Sequence, residues 1–239
     1  MFVLNSILYT IFEDSKDYIV KKPWIQVSVD TLTLPEALVH VEHARAIEAE
    51  WVEVGTPLLN FVGIDAIASV AQAAPGHSIV ADFKALDGVE QYFIRAGQLG
   101  ASVATVMAVA NEASIEKAIS VGHQHGVKIQ VDLLNVPKED LPRRVQELSQ
   151  MGADYFLLHL AIDEHLRNPH ADPLDGLDEV VAATDRPVGP VVFTNEQGVD
   201  AIHRGASYVV IGYPLILEEN AREQLQSFAN AVRTVAVPG

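Results

Sequence analysis

Short apolar runs that end at an ionisable side chain recur along this chain, with stretches of helical spacing between them. Residues 25–29 lead to Asp30, and Trp51 to Val54 carries Glu53. Residues 78–87 read S-I-V-A-D-F-K-A-L-D and place Asp82, Lys84 and Asp87 close together. Residues 127–131 lead to Asp132, and residues 155–158 to His159. Runs at 101–107, 188–193 and 208–211 bring the strands to eight. Helical spacing falls at 34–48, with Thr33 as N-cap, and at 64–73, 89–99, 112–125, 141–151, 177–183, 197–204 and 215–232. A polar loop at 163–175 holds His165, Arg167 and His170. Strand starts roughly 20–30 residues apart, with helices between, are the mark of βα units joined by right-handed crossovers. The pattern predicts an α/β fold, a single (β/α)8 TIM barrel over residues 24–239. A doubly wound open sheet is the second choice, but no G-x-G-x-x-G follows the first strand. Residues 1–23 are expected to form a short helical extension, because Leu4, Ile7, Leu8, Ile11 and Phe12 make one apolar stripe.

Composition narrows the function classes. Apolar residues make up 49% of 239, ample for a large core. The formal net charge of -16 argues against a nucleic-acid surface, which needs a basic footprint. No run is long enough for a membrane span. The first Lys is Lys16, behind the N-terminal apolar stretch, so no signal peptide is expected and the chain is read as cytoplasmic. There is no cysteine, which excludes disulfides and thiolate metal sites.

A (β/α)8 barrel keeps its site at the C-terminal ends of its strands. Five of the first six predicted strands end at or beside Asp30, Glu53, Asp82 with Lys84, Asp132 and His159, while the strand interiors are mostly apolar. Ionisable groups converging on one rim point to a polar pocket. Alternation along a strand puts Asp82 and Lys84 on one face. Glu53 and Asp82 are hard oxygen ligands suited to Mg2+. Lys84 among carboxylates stays protonated, and a fixed cation with Mg2+ suits an enediolate. His159 can move a proton at neutral pH.

The segments V-S-V-D to Asp30, E-V-G-T-P from Glu53, A-D-F-K-A-L-D from Ala81, V-D-L-L-N-V from Val131 and L-L-H to His159 together resemble the orotidine 5'-monophosphate decarboxylase superfamily. Within it the similarity is greatest to the 3-hexulose-6-phosphate synthases, with the 3-keto-L-gulonate-6-phosphate decarboxylases next. The resemblance spans roughly residues 24–215, and D-x-K-x-x-D is its specific part. It implies a Mg2+-dependent lyase acting on a sugar phosphate through an enediolate, in a homodimer with active sites at the interface. It implies Glu53 and Asp82 as metal ligands, Asp30 on substrate hydroxyls, and Lys84 on the intermediate. Asp87 would reach into the partner's site, and Asp132 and His159 would line the pocket. Ile162 stands where the decarboxylases carry Arg, and Asp132 where they carry Glu, so aldol chemistry is favoured over decarboxylation.

The similarity lapses at strands seven and eight. The superfamily holds phosphate on glycine-rich strand ends there, whereas this chain has Val192 and Phe193 on one and Gly212-Tyr213-Pro214 on the other. Side chains would crowd backbone amides around an anion, and Pro214 offers no N–H. Gly212 is kept as a substrate contact, with Arg167 or Thr194 as substitute phosphate holders. The alternatives are a substrate other than the superfamily's sugar phosphate and a non-catalytic ligand-binding relative.

Overall fold

The computed structural model describes residues 22–235. The N-terminal stripe of Leu4 to Phe12 lies outside them. Eight parallel strands follow in chain order: β1 (Trp24–Val29), β2 (Trp51–Val54), β3 (Ser78–Ala85), β4 (Val103–Met107), β5 (Lys128–Asp132), β6 (Tyr155–Leu158), β7 (Val188–Pro190) and β8 (Tyr208–Ile211). Each pairs with its sequence neighbour, and β1 also pairs with β8. Val191 bridges to Val210, joining the β7 side to β8, so the eight strands form the (β/α)8 barrel that the sequence predicts. Both faces of such a sheet are covered, which is why its strands read as continuous apolar runs.

The helices are α1 (Leu34–Ala46), α2 (Thr56–Val62), α3 (Ala66–Ala73), α4 (Glu90–Gln98), α5 (Glu112–Gln124), α6 (Leu141–Met151), α7 (Ile162–Arg167), α8 (Leu177–Ala182), α9 (Asn195–His203) and α10 (Ala221–Arg233). Caps set several starts. Thr33 accepts from the Glu36 amide, and Asn111 from the Ser114 amide at 2.9 Å. Two helices were not foreseen. Pro57, read as the end of β2, instead sits in the first turn of α2, where its fixed φ and missing N–H do no harm. Part of the expected polar loop at 163–175 is the short helix α7. The expected closing helix at 215–232 is split: a 3₁₀ turn at Leu215–Leu217 precedes α10. Among the described residues no helix is long and apolar enough to cross a membrane.

The barrel interior changes character along its axis. Its N-terminal end is filled by Trp24, Trp51, Tyr155 and Tyr208, with Trp51 and Tyr155 edge to face at 4.8 Å. Above them lies an amide layer. Gln130 Nε2 donates to Tyr208 Oη at 2.8 Å and to Gln26 Oε1 at 3.1 Å, and Tyr208 Oη donates to the Phe156 carbonyl at 2.7 Å. The acids sit above that layer, at the C-terminal mouth.

Candidate active site

Glu53, Asp82 and Asp132 are buried at the strand ends, and His159 and Lys84 are partly exposed beside them. Each carboxylate is held by its neighbours. Gln26 Nε2 and Ser28 Oγ donate to the two oxygens of Glu53, the latter at 2.6 Å. Thr105 Oγ1 donates to Asp82 Oδ1 at 2.8 Å, and Thr56 Oγ1 to Asp82 Oδ2 at 2.6 Å. The Leu134 amide donates to Asp132 Oδ1 at 2.8 Å.

Lys84 links the acids. Its Nζ lies 2.6 Å from Asp82 Oδ2 and 3.4 Å from Asp132 Oδ2. The route there is not plain alternation. Pairing between β3 and β4 shifts register between Ala81 and Ala85, and Lys84 has φ +44°. A β-bulge of this kind re-aims a side chain next to a site. Thr105 supports it, accepting from the Lys84 amide at 2.9 Å while donating to Asp82. Asp132 Oδ2 also meets His159 Nδ1 at 2.9 Å. An ionised carboxylate can only accept, so Nδ1 carries the proton and Nε2 is left for chemistry.

Charge in this mouth is predominantly negative. Burial pushes Glu53 up to about 8, reinforced by the charges of Asp82 and Asp30. Burial likewise raises Asp30. Burial also acts upward on Asp132, but His159 and Lys84 outweigh it and hold its carboxyl at about 2. Burial alone would lower Lys84, yet Asp82, Asp132 and Glu53 together raise it, so it stays a cation. Asp30 is fixed by the space around it: a Cβ on Gly55 would fall 2.1 Å from its Oδ1, and one on Gly212 3.0 Å from its Oδ2. Gly55 is therefore required by the close approach of that carboxylate, while a Cβ on Gly212 would meet the Ser28 Cβ most closely, at 2.8 Å.

These residues fit Mg2+. Two hard carboxylates, Glu53 and Asp82, stand in a mouth whose mutual repulsion a dication would relieve. Among the described residues no three His, Cys, Asp or Glu side chains form a ready-made cage. Mg2+ commonly takes one or two carboxylates and completes its octahedron with water and substrate oxygens.

Other predicted residues lie further out. Asp87 is exposed on the rim, 3.4 Å from Ser114 Oγ, and lines with Lys84, Thr56, Asn60, Leu86 and Tyr92 a hollow of about 360 Å³. Thr194 caps α9, accepting from the Gln197 amide at 3.2 Å. Arg167 is paired with Glu164 at 2.6 Å and its side chain is 78% exposed. Gln26, Ser28, Thr56, Thr105 and Gln130 were not singled out from the sequence. The signal was there for two strands: Gln26, Ser28 and Asp30 alternate in β1, as do Gln130 and Asp132 in β5, marking a polar inward face.

Residues 23–228 match the model of the orotidine 5'-phosphate decarboxylase / HUMPS family. The chain belongs to that family. A 3-hexulose-6-phosphate synthase of Staphylococcus haemolyticus is 34% identical over 158 residues, covering 65% of this chain and 72% of the relative. The crystal structure of 3-hexulose-6-phosphate synthase from Salmonella typhimurium superposes with a TM-score of 0.80 at 25% identity, over 87% of this chain and 98% of the other. The 3-keto-L-gulonate-6-phosphate decarboxylase of Vibrio cholerae shares the fold, with a TM-score of 0.74 at 23% identity over 89% and 96%. The chain is a lyase of this superfamily.

Proposed function

We propose that this lyase makes or breaks a carbon–carbon bond next to the carbonyl of a ketose, in the manner of the 3-hexulose-6-phosphate synthases, through an enediolate. The observation that carries this reading is Lys84 Nζ held between Asp82 and Asp132 at the barrel mouth. Removal of a proton from the carbon beside the ketone puts the negative charge on the former ketone oxygen, next to the hydroxyl on the carbon that lost the proton. A fixed ammonium aimed at that charge, and already oriented before reaction, lowers the barrier without reorganisation. Asp132 orients His159 through Nδ1, so that its Nε2 can take up or return the proton. Asp30, standing between Gly55 and Gly212, suits a substrate hydroxyl. Glu53 and Asp82 would hold Mg2+, which when bound polarises the ketone and hydroxyl oxygens of the sugar.

Aldol addition to an aldehyde such as formaldehyde is favoured over decarboxylation, since Ile162, the first residue of α7, brings no cation to meet a departing carboxylate. The reading includes a homodimer. Phe61 on α2, Leu86 in the turn between β3 and α4, and Tyr92 on α4 are exposed to 70%, 53% and 46%, and the last two line the hollow that holds Lys84 and Asp87. A second copy covering this rim would bury them. The test is product formation: with Mg2+, formaldehyde and ribulose or its 5-phosphate, a six-carbon ketose is expected by carbon NMR. Carbon dioxide release from a 3-keto sugar acid, without aldol product, would favour the decarboxylase instead.

A further inference from the structure

We propose that a hydrogen-bonded chain running from Tyr208 through Gln130 and Gln26 positions Glu53 as a ligand for Mg2+, so that a phenol in the N-terminal half of the barrel sets metal affinity at its mouth. This rests on the reading of Glu53 and Asp82 as the Mg2+ carboxylates and names what holds one of them. Carboxylates that bind a metal are themselves held by hydrogen bonds, and the holders tune affinity.

The chain is built from residues that face the barrel axis. Gln26 alternates with Trp24 and Ser28 along β1, Gln130 with Asp132 along β5, and Glu53 with Trp51 along β2. Gln26, Gln130 and Tyr208 are wholly buried, where polar groups are costly unless they are paired. The place of Tyr208 is prepared on β7. A Cβ on Gly189 would fall 2.4 Å from two atoms of the Tyr208 ring, so glycine there admits the phenol to the barrel interior.

The chain has one sense. Tyr208 Oη donates its only proton to the Phe156 carbonyl at 2.7 Å, so towards Gln130 it can only accept. Gln130 therefore presents Nε2, which donates to Tyr208 Oη at 2.8 Å and to Gln26 Oε1 at 3.1 Å. That turns Gln26 Oε1 towards Gln130 and its Nε2 towards Glu53 Oε2, to which it donates. Ser28 Oγ donates to the other oxygen of Glu53 at 2.6 Å. A reversed Gln130 amide would set an oxygen against both Gln26 Oε1 and Tyr208 Oη. Gln130 Oε1 itself is buried with no partner among the described residues, the cost of keeping the chain in this sense.

Calorimetric titration of the full chain with Mg2+ tests this, with circular dichroism to show that each variant is folded. Gln26→Met should weaken Mg2+ binding by about tenfold or more. Tyr208→Phe keeps the ring and deletes one oxygen, which is bonded to neither metal carboxylate. It should still weaken Mg2+ binding by about threefold or more. Gln130→Met cuts the chain at a second point and should act in the same way, which keeps the test open should Tyr208→Phe not fold. Combined with Gln26→Met, Tyr208→Phe should add nothing, because both act through the same contact on Glu53. Ile67→Ala, buried on α3 outside the barrel, should lower stability in urea and leave Mg2+ affinity unchanged. Unchanged affinity in Tyr208→Phe and Gln130→Met, effects that multiply in the double variant, or an equal loss in Ile67→Ala would overturn the proposal and leave the metal site standing. A wild-type chain that binds no Mg2+ would remove the metal reading and the role of the chain with it.

Discussion

Glu53 and Asp132 share one barrel mouth and are driven in opposite directions. Asp132 has the Lys84 ammonium and the His159 ring N–H beside it and is held at about 2, whereas Glu53, buried among other acids, is pushed from 4.5 to about 8. Between pH 4.5 and 8 the unfolded chain has lost the Glu53 proton and the folded chain keeps it, so stability falls as pH rises through that window. Asp132 contributes stability above its ordinary 3.8, lost only as pH falls towards 2, so it leaves this window untouched. Urea unfolding of the metal-free protein should therefore show a decline from pH 4.5 to 8 that Glu53→Gln flattens. Added Mg2+ should restore stability most at the upper end, because a ligand bound only by the folded state stabilises it. Stability that rises across the window in wild type and variant alike would contradict this account of Glu53. At this scale the sequence disclosed the ionisable groups but few of their holders. Acids at strand ends stand out from apolar runs, while Thr105 is a β-former whose hydroxyl gains meaning only once β3 and β4 are paired.

The irregular end of β3 is the element on which the chemistry turns. Its bulge and the left-handed backbone at Lys84 depart from the simple alternation the sequence suggests. Such a conformation is costly for a non-glycine residue and persists when its surroundings over-determine it. Thr105 on β4 is the tie, bonded both to the Lys84 amide and to Asp82. Thr105→Val keeps the shape and leaves a buried carboxylate oxygen and an amide short of partners. It should cost about 1–3 kcal/mol of stability and lower kcat more than it raises KM, measured by urea unfolding and steady-state kinetics. Elsewhere the strands were legible because strands covered on both faces must be apolar. The helices α2 and α7 were not. A proline can open a helix as readily as end a strand, and α7, with no buried residue, has no apolar stripe to announce it.

The barrel as a whole gathers on one rim four acids, one lysine and one histidine contributed by five strands or their ends, in a chain of formal net charge -16. A substrate is held there by local design against the overall field. The same rim exposes Phe61, Leu86 and Tyr92. If a second copy covers them, Phe61→Asp with Leu86→Asp should turn a dimer into a monomer by light scattering, with the circular dichroism of the barrel unchanged. A wild-type monomer at tens of micromolar would remove the dimer from the account. The central claim is that Lys84 stabilises an enediolate, and proton NMR in deuterium oxide tests it most directly. The C1 protons of ribulose 5-phosphate should exchange in the presence of wild-type protein and Mg2+, and Lys84→Ala, still folded, should slow that exchange by about a hundredfold or more. Exchange at the wild-type rate in Lys84→Ala would contradict the assignment.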